Sequence, residues 1–492
     1  MADRPLYIGV DAGTSMAKAA AFDEGGKMIT VASRPVPLQH PGPGRVEQDP
    51  EVIVRSVQTV LAEVCASTGV RRPELVAITG QGDGCWLFDE HAVPVRAGIS
   101  WMDGRAGGIV RDWETSGICD AIFAENGNMM FPGAPAPILA WLDQHEPEVL
   151  ARASTAGYLK DLLLQHFTGV RATDSSEASL PFGALNIDPD GPLDDYSAAV
   201  LQHTGLSHRA GLLAPVQRPL PTGNLTASGA GTSTLLPGTP IVAGPYDIPA
   251  CAIGAGRLGP GDGLLIVGTT LACSVLIDRV DLSGPRAGMT ITMPDPGRWL
   301  RVMAAMVGTA SLDWALGMLD VRFEALNDLL EQTPAGSNGV QVLPYLAPSG
   351  ERAPFVDPAA NAQFSGISLT STRDDLIRGL CEGLAYAARS CFDAAGLTGD
   401  VYVCGGGSQS PAWLRIFASV LGRPLFLART GEVGARGAVL AAAAATGRSL
   451  DAELWTGPLE TVHPVAADVQ LYHDGYERFG ELLAAARPLW SH

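Results

Sequence analysis

One short structural unit occurs twice in this chain, about half the chain length apart. In each copy an apolar, strand-like segment enters a turn that contains glycine and threonine, and a second apolar segment returns from it. The turns lie at residues 11–15 and 268–270. A unit repeated in this way predicts two related domains that each open with the same hairpin. Because glycine lets backbone N–H groups approach an anion closely, each hairpin is a candidate phosphate-binding site.

The order of the predicted elements along the 492 residues indicates the fold class. Helical spacing of apolar residues predicts helices over 50–68, 374–395, 412–421 and 437–446. Short apolar runs predict strands over 6–10, 16–22, 76–79, 240–243, 263–267, 271–278 and 401–404. Strands that alternate with helices are typical of an α/β fold. A stretch rich in Pro, Gly, Ser and Thr at 215–240 marks a boundary near its end, so we expect domains over 1–243 and 244–492.

Charge and cysteine spacing exclude several classes of partner. The formal net charge is −19 and the pI is about 4.8, and a surface of this sign repels nucleic acid and anionic lipid. The eight cysteines form no C-x-x-C pair and most lie in apolar runs, as in a reduced protein. No apolar stretch reaches the ~18 residues that span a bilayer. We therefore expect a cytoplasmic protein that binds neither nucleic acid nor membrane.

Two further glycine-centred turns, at 308–311 and 405–407, strengthen the prediction of a phosphate site. The chain contains no G-x-x-x-x-G-K-[ST] motif and no G-x-G-x-x-G after its first strand, so neither a P-loop nor a Rossmann site is supported. The candidate phosphate-binding residues are Gly13, Thr14, Ser15, Gly268, Thr269, Thr270, Gly308 and Gly406. Lys18, one of only three lysines, lies on the strand that returns from the first turn, where a solvated edge position is the alternative.

Two aspartates at strand ends each allow a structural and a chemical interpretation. Asp11 ends the first strand, where it either forms an Asx-turn or holds a Mg²⁺–water shell beside a triphosphate. Asp247 follows the strand at 240–243 and precedes Pro249, so it is either a helix N-cap or a general base that takes a hydroxyl proton.

Polar loops follow two other strands. The first loop contains Gln81 and Asp83, and the second contains Trp101 and Asp103. Acidic, amide and indole side chains at strand ends suit a small polyhydroxylated ligand, and two ordinary polar loops are the alternative.

Taken together and in this order, the motifs resemble those of the FGGY family of carbohydrate kinases. The resemblance covers essentially the whole chain. It is carried by residues 11–18, 81–84, 101–105, 141–147, 160–161, 172–176, 244–247, 268–270, 350–352, 364–366, 380–383 and 405–410. The last of these segments is similar to the family's adenosine motif and adds Ser410 to the candidate ATP-binding residues, and the first adds Lys18.

The resemblance implies two domains of the ribonuclease-H-like actin and sugar-kinase fold with a central cleft. It implies ATP, with Mg²⁺, and it places the nucleotide mainly against the C-terminal domain and a sugar mainly against the N-terminal domain. By position, Asp247 would be the base and Asp11 would organise Mg²⁺, while Gln81, Asp83, Trp101 and Asp103 would bind the sugar together with Asp247.

Several positions differ from the family pattern, among them Met16, Ile138, Gly379, Cys381 and Ile248. Our leading hypothesis is transfer of the γ-phosphate of ATP to a terminal hydroxyl of a small linear sugar. A pentulose such as xylulose comes first and erythritol or another short polyol second. Hypotheses of other classes are a sugar-binding homologue without turnover and an ATPase of the same fold, against which Asp83 and Trp101 argue. The sequence leaves a homodimer open.

Overall fold

Two mixed sheets with the same strand order form the centre of the protein. A computed structural model describes residues 5–180, 182–183, 196–428, 431–456 and 459–490. The first sheet has the order β3-β2-β1-β5-β10-β9, and β1 runs parallel to β5 and antiparallel to β2. The strands of the N-terminal half are β1 Leu6–Ala12, β2 Met16–Asp23, β3 Met28–Pro35, β4 Glu47–Gln48, β5 Leu75–Gly80, β6 Trp86–Phe88, β7 Gly98–Ile99, β8 Thr155–Gly157, β9 Thr222–Asn224 and β10 Pro240–Ala243.

The second sheet repeats this arrangement with one additional strand at its edge. Its order is β13-β14-β12-β11-β17-β18-β19, so β14, β12, β11, β17, β18 and β19 correspond in order and direction to the six strands of the first sheet. The strands are β11 Gly263–Val267, β12 Leu271–Ile277, β13 Met289–Thr292, β14 Trp299–Ala305, β15 Gln341–Leu343, β16 Gln363–Ser365, β17 Val401–Cys404, β18 Leu425–Ala428 and β19 Leu459–Val462. The internal repeat predicted from the two hairpins is therefore present in the structure.

Helices cover the sheets, and apolar side chains fill the space between these layers. The helices of the N-terminal half are α1 Pro50–Thr68, α2 Gly107–Thr115, α3 Ile118–Asn126, α4 Pro135–His145, α5 Pro147–Leu150, α6 Leu159–Thr168, α7 Ser175–Ala178, α8 Ala198–His203 and α9 Ala227–Ala230. Helix α10 Asp247–Ala255 lies at the junction of the halves, just after the proposed boundary. The helices of the C-terminal half are α11 Thr309–Met318, α12 Leu326–Gln332, α13 Arg373–Ala395, α14 Pro411–Leu421, α15 Val433–Ala445, α16 Ala452–Thr456 and α17 Val469–Ala486. None of the helices in the described ranges is both long and apolar enough to cross a membrane.

The two halves meet at a close crossing of α10 and α15. A Cβ atom at Gly254 would collide with the backbone oxygen of Val433, and one at Gly437 would collide with that of Ala250. Only glycine permits this approach, because any side chain would push the helices apart. Helix α15 follows the second sheet in sequence but packs against β1 and β5 of the first. The boundary between residues 243 and 244 stays our proposal.

The predicted elements agree with the structure where the local pattern is strong. The helix at 50–68 and the strands at 240–243, 263–267 and 401–404 have the predicted bounds. The last predicted helix was wrong at its start, since α15 begins at Val433 rather than at 437. The glycine at 434 hides that first turn in the sequence, because glycine disfavours helices in isolation.

Candidate active site

Three aspartates converge at one edge of the first sheet. Asp11 lies near the end of β1, Asp83 lies in the turn after β5, and Asp247 is the first residue of α10 after β10. Strands β1, β5 and β10 are parallel neighbours, and the ends of such strands meet at a common edge where ligands bind. The structure therefore brings together three carboxylates that lie at well-separated positions, 11, 83 and 247, in the sequence.

The environment of these carboxylates favours the neutral form of each one. Burial, with the nearby charges of Asp11 and Asp83, raises the pKa of Asp247 to about 8, although a hydrogen bond from the Ile248 backbone N–H opposes the shift. Burial raises the pKa of Asp83 to about 7 against the charge of Arg352. A carboxyl group whose pKa lies near neutrality is suited to accept a proton at physiological pH.

The alternative interpretation of Asp247 as a helix N-cap is wrong. Tyr246 occupies the N-cap position of α10, and no side chain caps this helix end. Tyr246 packs its ring against the backbone of Gly82, where a Cβ atom would lie 2.6 Å from a ring carbon. The Asp247 side chain is thus available for chemistry rather than needed to begin the helix.

Asp11 lies close to Lys18, which is on the strand that returns from the first hairpin turn. Burial raises the pKa of Asp11 to about 6, and the charge of Lys18 opposes this shift while that of Glu432 adds to it. Lys18 Nζ lies 3.2 Å from a carboxylate oxygen of Glu432, so the structure pairs this predicted ATP-binding residue with an acidic side chain at the start of α15. To bind a phosphate, the Lys18 ammonium group would have to contact it in addition to Glu432 or leave Glu432.

Asp11 Oδ1 is buried and has no hydrogen-bond partner among the described residues. An unpaired buried oxygen of this kind fits a ligand to Mg²⁺. Within the ranges that the structure describes, no group of three or more His, Cys, Asp or Glu residues is arranged to hold a metal. The ion would thus be held by Asp11 together with water and nucleotide phosphates, which is how Mg²⁺ commonly binds in phosphoryl-transfer enzymes.

A chain of hydrogen bonds joins the first hairpin to both sugar-loop candidates. The indole Nε1 of Trp101 donates to Thr14 Oγ1 over 3.0 Å, and Thr14 Oγ1 donates to Gln81 Oε1 over 3.1 Å. Gln81 Nε2 in turn donates to Gln48 Oε1 over 2.7 Å. Since the Thr14 hydroxyl gives its only hydrogen to Gln81, its side chain as placed cannot donate to a phosphate. The expectation that this hydroxyl faces phosphate is corrected, and only the Thr14 backbone stays a candidate for nucleotide binding.

Asp103 differs from its predicted role. It is buried, and its oxygens accept hydrogen bonds from the Val46 backbone N–H at 2.6 Å and from Arg105 Nε at 2.8 Å. Arg105 also donates to Glu47. Both oxygens of Asp103 are therefore engaged in fixing the loop that carries Trp101, and Asp103 is a structural residue rather than a sugar ligand. Asp103 and Arg105 lie two residues apart in the same motif. The motif by itself therefore fits both a structural ion pair and a sugar-binding carboxylate, and it did not distinguish the two roles.

The glycine turns of the C-terminal half pack against one another. The Thr269 oxygen accepts the Gly308 N–H at 2.8 Å, and the Gly268 oxygen accepts the Thr309 N–H at 2.8 Å. Gly405 has a φ of +99° and presses against the Val267 backbone, where a Cβ atom would lie 2.6 Å from the oxygen. Thr269 is exposed beside these turns. They form one continuous backbone surface at the end of β11 that suits an anionic ligand.

Ser410 has a structural role in this region. It is buried as the N-cap of α14, where its Oγ donates to Asn327 Oδ1 over 2.9 Å and accepts the Trp413 N–H. The prediction that its side chain contacts ATP is therefore corrected. Gly406, by contrast, has open space around its Cα.

Two positions that differ from the family pattern lie in apolar surroundings. Ile138 is fully buried in the core of the N-terminal half. Ile248, next to Asp247, packs against an apolar cluster between α10 and the second sheet. Neither isoleucine side chain can form a hydrogen bond, so neither can supply one to a substrate.

Arg352 was missed as a site residue. It belongs to the C-terminal half, yet its guanidinium carbon lies 5.7 Å from the centre of the Trp101 ring and 5.2 Å from that of Phe131. The sequence motif at 350–352 contributed to the family resemblance, but nothing local to it indicates that Arg352 reaches the first sheet. That contact depends on how the two halves pack.

Comparison with known families agrees with this geometry. Residues 6–254 match the N-terminal domain of the FGGY family of carbohydrate kinases, and residues 264–446 match its C-terminal domain. The two matches together cover most of the chain.

Individual relatives are similar over nearly their whole length. An erythritol kinase of Brucella abortus (strain 2308) is 31% identical over 99% of this chain and 97% of its own length. A xylulose kinase of Escherichia coli (strain K12) is 30% identical over 98% of this chain and 100% of its own length. The crystal structure of a xylulose kinase from Rhodospirillum rubrum superposes with a TM-score of 0.86 at 28% identity, covering 99% of this chain and 100% of the other.

The buried aspartates predict that the unliganded protein loses stability as pH rises. Their folded-state pKa values of about 6 for Asp11, about 7 for Asp83 and about 8 for Asp247 all exceed the ordinary value of 3.8. The folded state thus binds more protons than the unfolded chain, and the free energy of unfolding falls from about pH 4 to about pH 8. Urea denaturation across this range measures the slope. Asp247→Asn should reduce the slope of the free energy of unfolding against pH in the upper part of this pH range. Glu148→Gln, at an exposed position in α5, should leave the slope unchanged. An unchanged slope in Asp247→Asn contradicts the assigned environment.

Proposed function

Because the chain belongs to the FGGY family of carbohydrate kinases, we propose that it transfers the γ-phosphate of ATP to a terminal hydroxyl of a small linear sugar, with Asp247 as the general base. The chain is a phosphotransferase with an alcohol group of a small sugar or polyol as acceptor, and kinases of this family use ATP. The observation that carries the assignment of the base is the position of Asp247, at the end of β10 with its pKa raised to about 8 by burial and by neighbouring carboxylates.

The proposed mechanism begins with the acceptor hydroxyl at Asp247. The Asp247 carboxylate accepts the hydroxyl proton while the oxygen forms its bond to the γ-phosphorus and the bond to the β,γ-bridging oxygen breaks. ADP leaves, and the proton stays on Asp247 until solvent removes it. Asp11 would hold Mg²⁺, which when bound neutralises charge on the phosphates. Positioning and charge neutralisation supply most of the rate enhancement in such reactions.

The two halves of the site divide the substrates between them. The exposed Thr269 and the open backbone at Gly406 support nucleotide binding by the C-terminal half. Asp83 and Trp101 support sugar binding by the N-terminal half, and Gln81 and Thr14 hold Trp101 in place through their hydrogen bonds. Gln81 is buried, so we assign it to positioning the loop.

Xylulose is our first candidate substrate and erythritol the second. The full-length similarity to xylulose kinases, in sequence and in structure, favours the first. Similarity of the same extent to an erythritol kinase, together with a carboxylate rather than an imidazole at Asp83, favours the second. A panel of ketoses and polyols in an ADP-release assay decides between them. ADP release that needs no sugar would favour an ATPase, and sugar binding without ADP release would favour a homologue without turnover.

Replacing Asp247 tests the general base. Asp247→Asn keeps the size of the side chain but cannot accept the proton, so kcat should fall by roughly 10²–10⁴-fold with ATP affinity nearly unchanged. Steady-state kinetics and calorimetric titration with ATP measure both quantities. Asp120→Asn, at an exposed position in the first turn of α3, is the matched control and should keep parental activity. A kcat of Asp247→Asn within about threefold of the parent would rule out the assignment.

The same substitution in each hairpin separates the two sides of the cleft. Thr269→Val removes an exposed hydroxyl from the nucleotide side and should raise the KM for ATP by roughly tenfold, since a bond to a charged group is lost. Thr14→Val removes the link between Trp101 and Gln81 and should weaken sugar binding instead. Steady-state kinetics gives the KM for ATP and the KM for the sugar in each variant. We expect the KM for ATP to rise only in Thr269→Val and the KM for the sugar to rise only in Thr14→Val. Identical patterns in the two variants would contradict the division of roles.

Replacing Asp83 tests the basis of substrate preference. Asp83→His substitutes an imidazole that can donate a hydrogen bond for a carboxylate that only accepts. The ratio of kcat/KM for D-xylulose to that for erythritol should therefore rise. Competition assays with both sugars measure the ratio directly, with Asp120→Asn as the reference variant. A ratio that does not change removes Asp83 from substrate discrimination.

A further inference from the structure

Arg352 lies in the C-terminal half but extends into the sugar side of the cleft. Its guanidinium carbon lies 5.7 Å from the centre of the Trp101 ring and 5.2 Å from that of the Phe131 ring. A planar guanidinium group above aromatic faces is held in place by cation–π attraction and stacking, and the site loses little side-chain entropy on binding. Both rings belong to the N-terminal half, so this one side chain joins the two halves at the sugar loops.

The backbone around Arg352 is fixed by its neighbour. Glu351 is buried, and its Oε1 accepts the backbone N–H of Met306 at 2.9 Å and that of Arg352 at 2.8 Å. Arg352 Nε donates to the Ala304 oxygen over 2.8 Å, which anchors the side chain at the end of β14. Arg352 is thus oriented from the second sheet before any ligand binds.

The terminal N–H groups of Arg352 have no hydrogen-bond acceptor in the part of the chain that the structure describes. Within the described ranges, neither terminal nitrogen of Arg352 forms a hydrogen bond or ion pair, because its only side-chain bond uses Nε. Asp83 is close enough for the charge of Arg352 to lower its pKa against the larger effect of burial. The two groups nevertheless make no direct ion pair. A charged donor and an acceptor that lie near the same loop without pairing with each other can both bind one polar ligand.

We propose that Arg352 is a substrate-binding residue that the C-terminal half contributes to the sugar site, where its terminal N–H groups bind the carbonyl oxygen of an α-hydroxy ketone while the adjacent hydroxyl donates to Asp83. This inference rests on the proposed function, since it concerns the same sugar. Arg352 supplies donors only, and a ketone oxygen accepts only, so the two match. A polyol hydroxyl can also accept from Arg352 and donate its hydrogen to Asp83, so Asp83 alone does not discriminate. The donors of Arg352 match a carbonyl oxygen, which carries no hydrogen of its own, better than a hydroxyl, and Arg352 therefore favours a ketose over a polyol of similar length.

A sugar bound in this way also couples its own binding to closure of the cleft. Asp83 belongs to the first half and Arg352 to the second, so one ligand contacts both. Binding energy from such a bridge is available only when the halves are together, and it favours the closed state over the open one.

The experiment compares Arg352→Met and Arg352→Lys in the full-length protein. Calorimetric titration without ATP gives the affinities for D-xylulose and erythritol, and steady-state kinetics gives the KM for ATP. Loss of a charge-assisted hydrogen bond should weaken D-xylulose binding by roughly 10–100-fold in Arg352→Met. The affinity for erythritol and the KM for ATP should each change by less than about threefold, because neither ligand loses a charge-assisted hydrogen bond in this variant. Arg352→Lys keeps the charge but loses the planar fork and should lie between Arg352→Met and the parent.

Controls separate the binding role from a structural one. Arg373→Met, at an exposed position at the start of α13, should match the parent in every measurement. Arg352→Met with a parental denaturation midpoint and weak ketose binding supports the proposal. In the double variant with Asp83→Asn, the effects on D-xylulose affinity should be less than additive, because one ligand joins both groups.

Several outcomes would overturn the inference. Parental D-xylulose affinity in both Arg352 variants removes Arg352 from the site, and equal weakening of ketose and polyol contradicts selection of a carbonyl. If Arg352→Met does not fold, the Arg352→Lys titration gives the same decision. Failure of the proposed function is distinguishable, because it shows in the parent as absence of sugar-dependent ADP release, whereas failure of this inference shows only when parent and variants are compared.

Discussion

Crowding of three carboxylates at one poorly hydrated sheet edge is the constraint on which the rest of the site depends. Asp11, Asp83 and Asp247 are placed there by three adjacent parallel strands. Burial raises the pKa of each one, and the charges of Asp11 and Asp83 raise that of Asp247 further. Buried negative charge is costly unless cations or hydrogen-bond donors approach it. Lys18 and Arg352 lower the pKa of Asp11 and Asp83 respectively, but the structure gives Asp247 no such cation. The group left without one is the group that we propose as the general base.

The repeated sheet explains how such a site is assembled from two halves. Corresponding hairpins end the corresponding central strands β1 and β11, so each half presents a glycine-containing turn at the same edge of its sheet. Helix α10 begins with Asp247 and crosses α15 so closely that Gly254 and Gly437 contact opposing backbone. Asp247, our proposed base, thus lies on a helix at the junction of the two halves, between groups that each half supplies.

Local patterns were sufficient to predict the central strands and four of the helices, together with the positions of the strand-end residues, but not their partners. The apolar runs at 240–243 and 263–267 define strands because burial on both faces leaves an uninterrupted apolar signal. Asp103, Ser410 and the Thr14 hydroxyl were misassigned for one reason: each is polar at a strand or helix end, and each donates to or accepts from a residue that only the folded structure brings near. Arg352 lies about 250 residues beyond Trp101 in sequence, so no local pattern could connect them. The family resemblance identified the motif that contains it without indicating its contact.

A site divided between two halves also bears on how a kinase avoids wasting ATP on water. Water can reach Asp247, but it lacks the linked oxygens with which a sugar would contact Asp83 and Arg352 in the proposed arrangement. A ligand with several oxygens on adjacent carbons would contact both groups, and it would gain energy from bringing the halves together. If closure also aligns the phosphate with Asp247, the binding energy of the correct sugar is used to assemble the reactive arrangement, which is the logic of induced fit. Selection of the sugar and suppression of hydrolysis would then depend on the same two side chains.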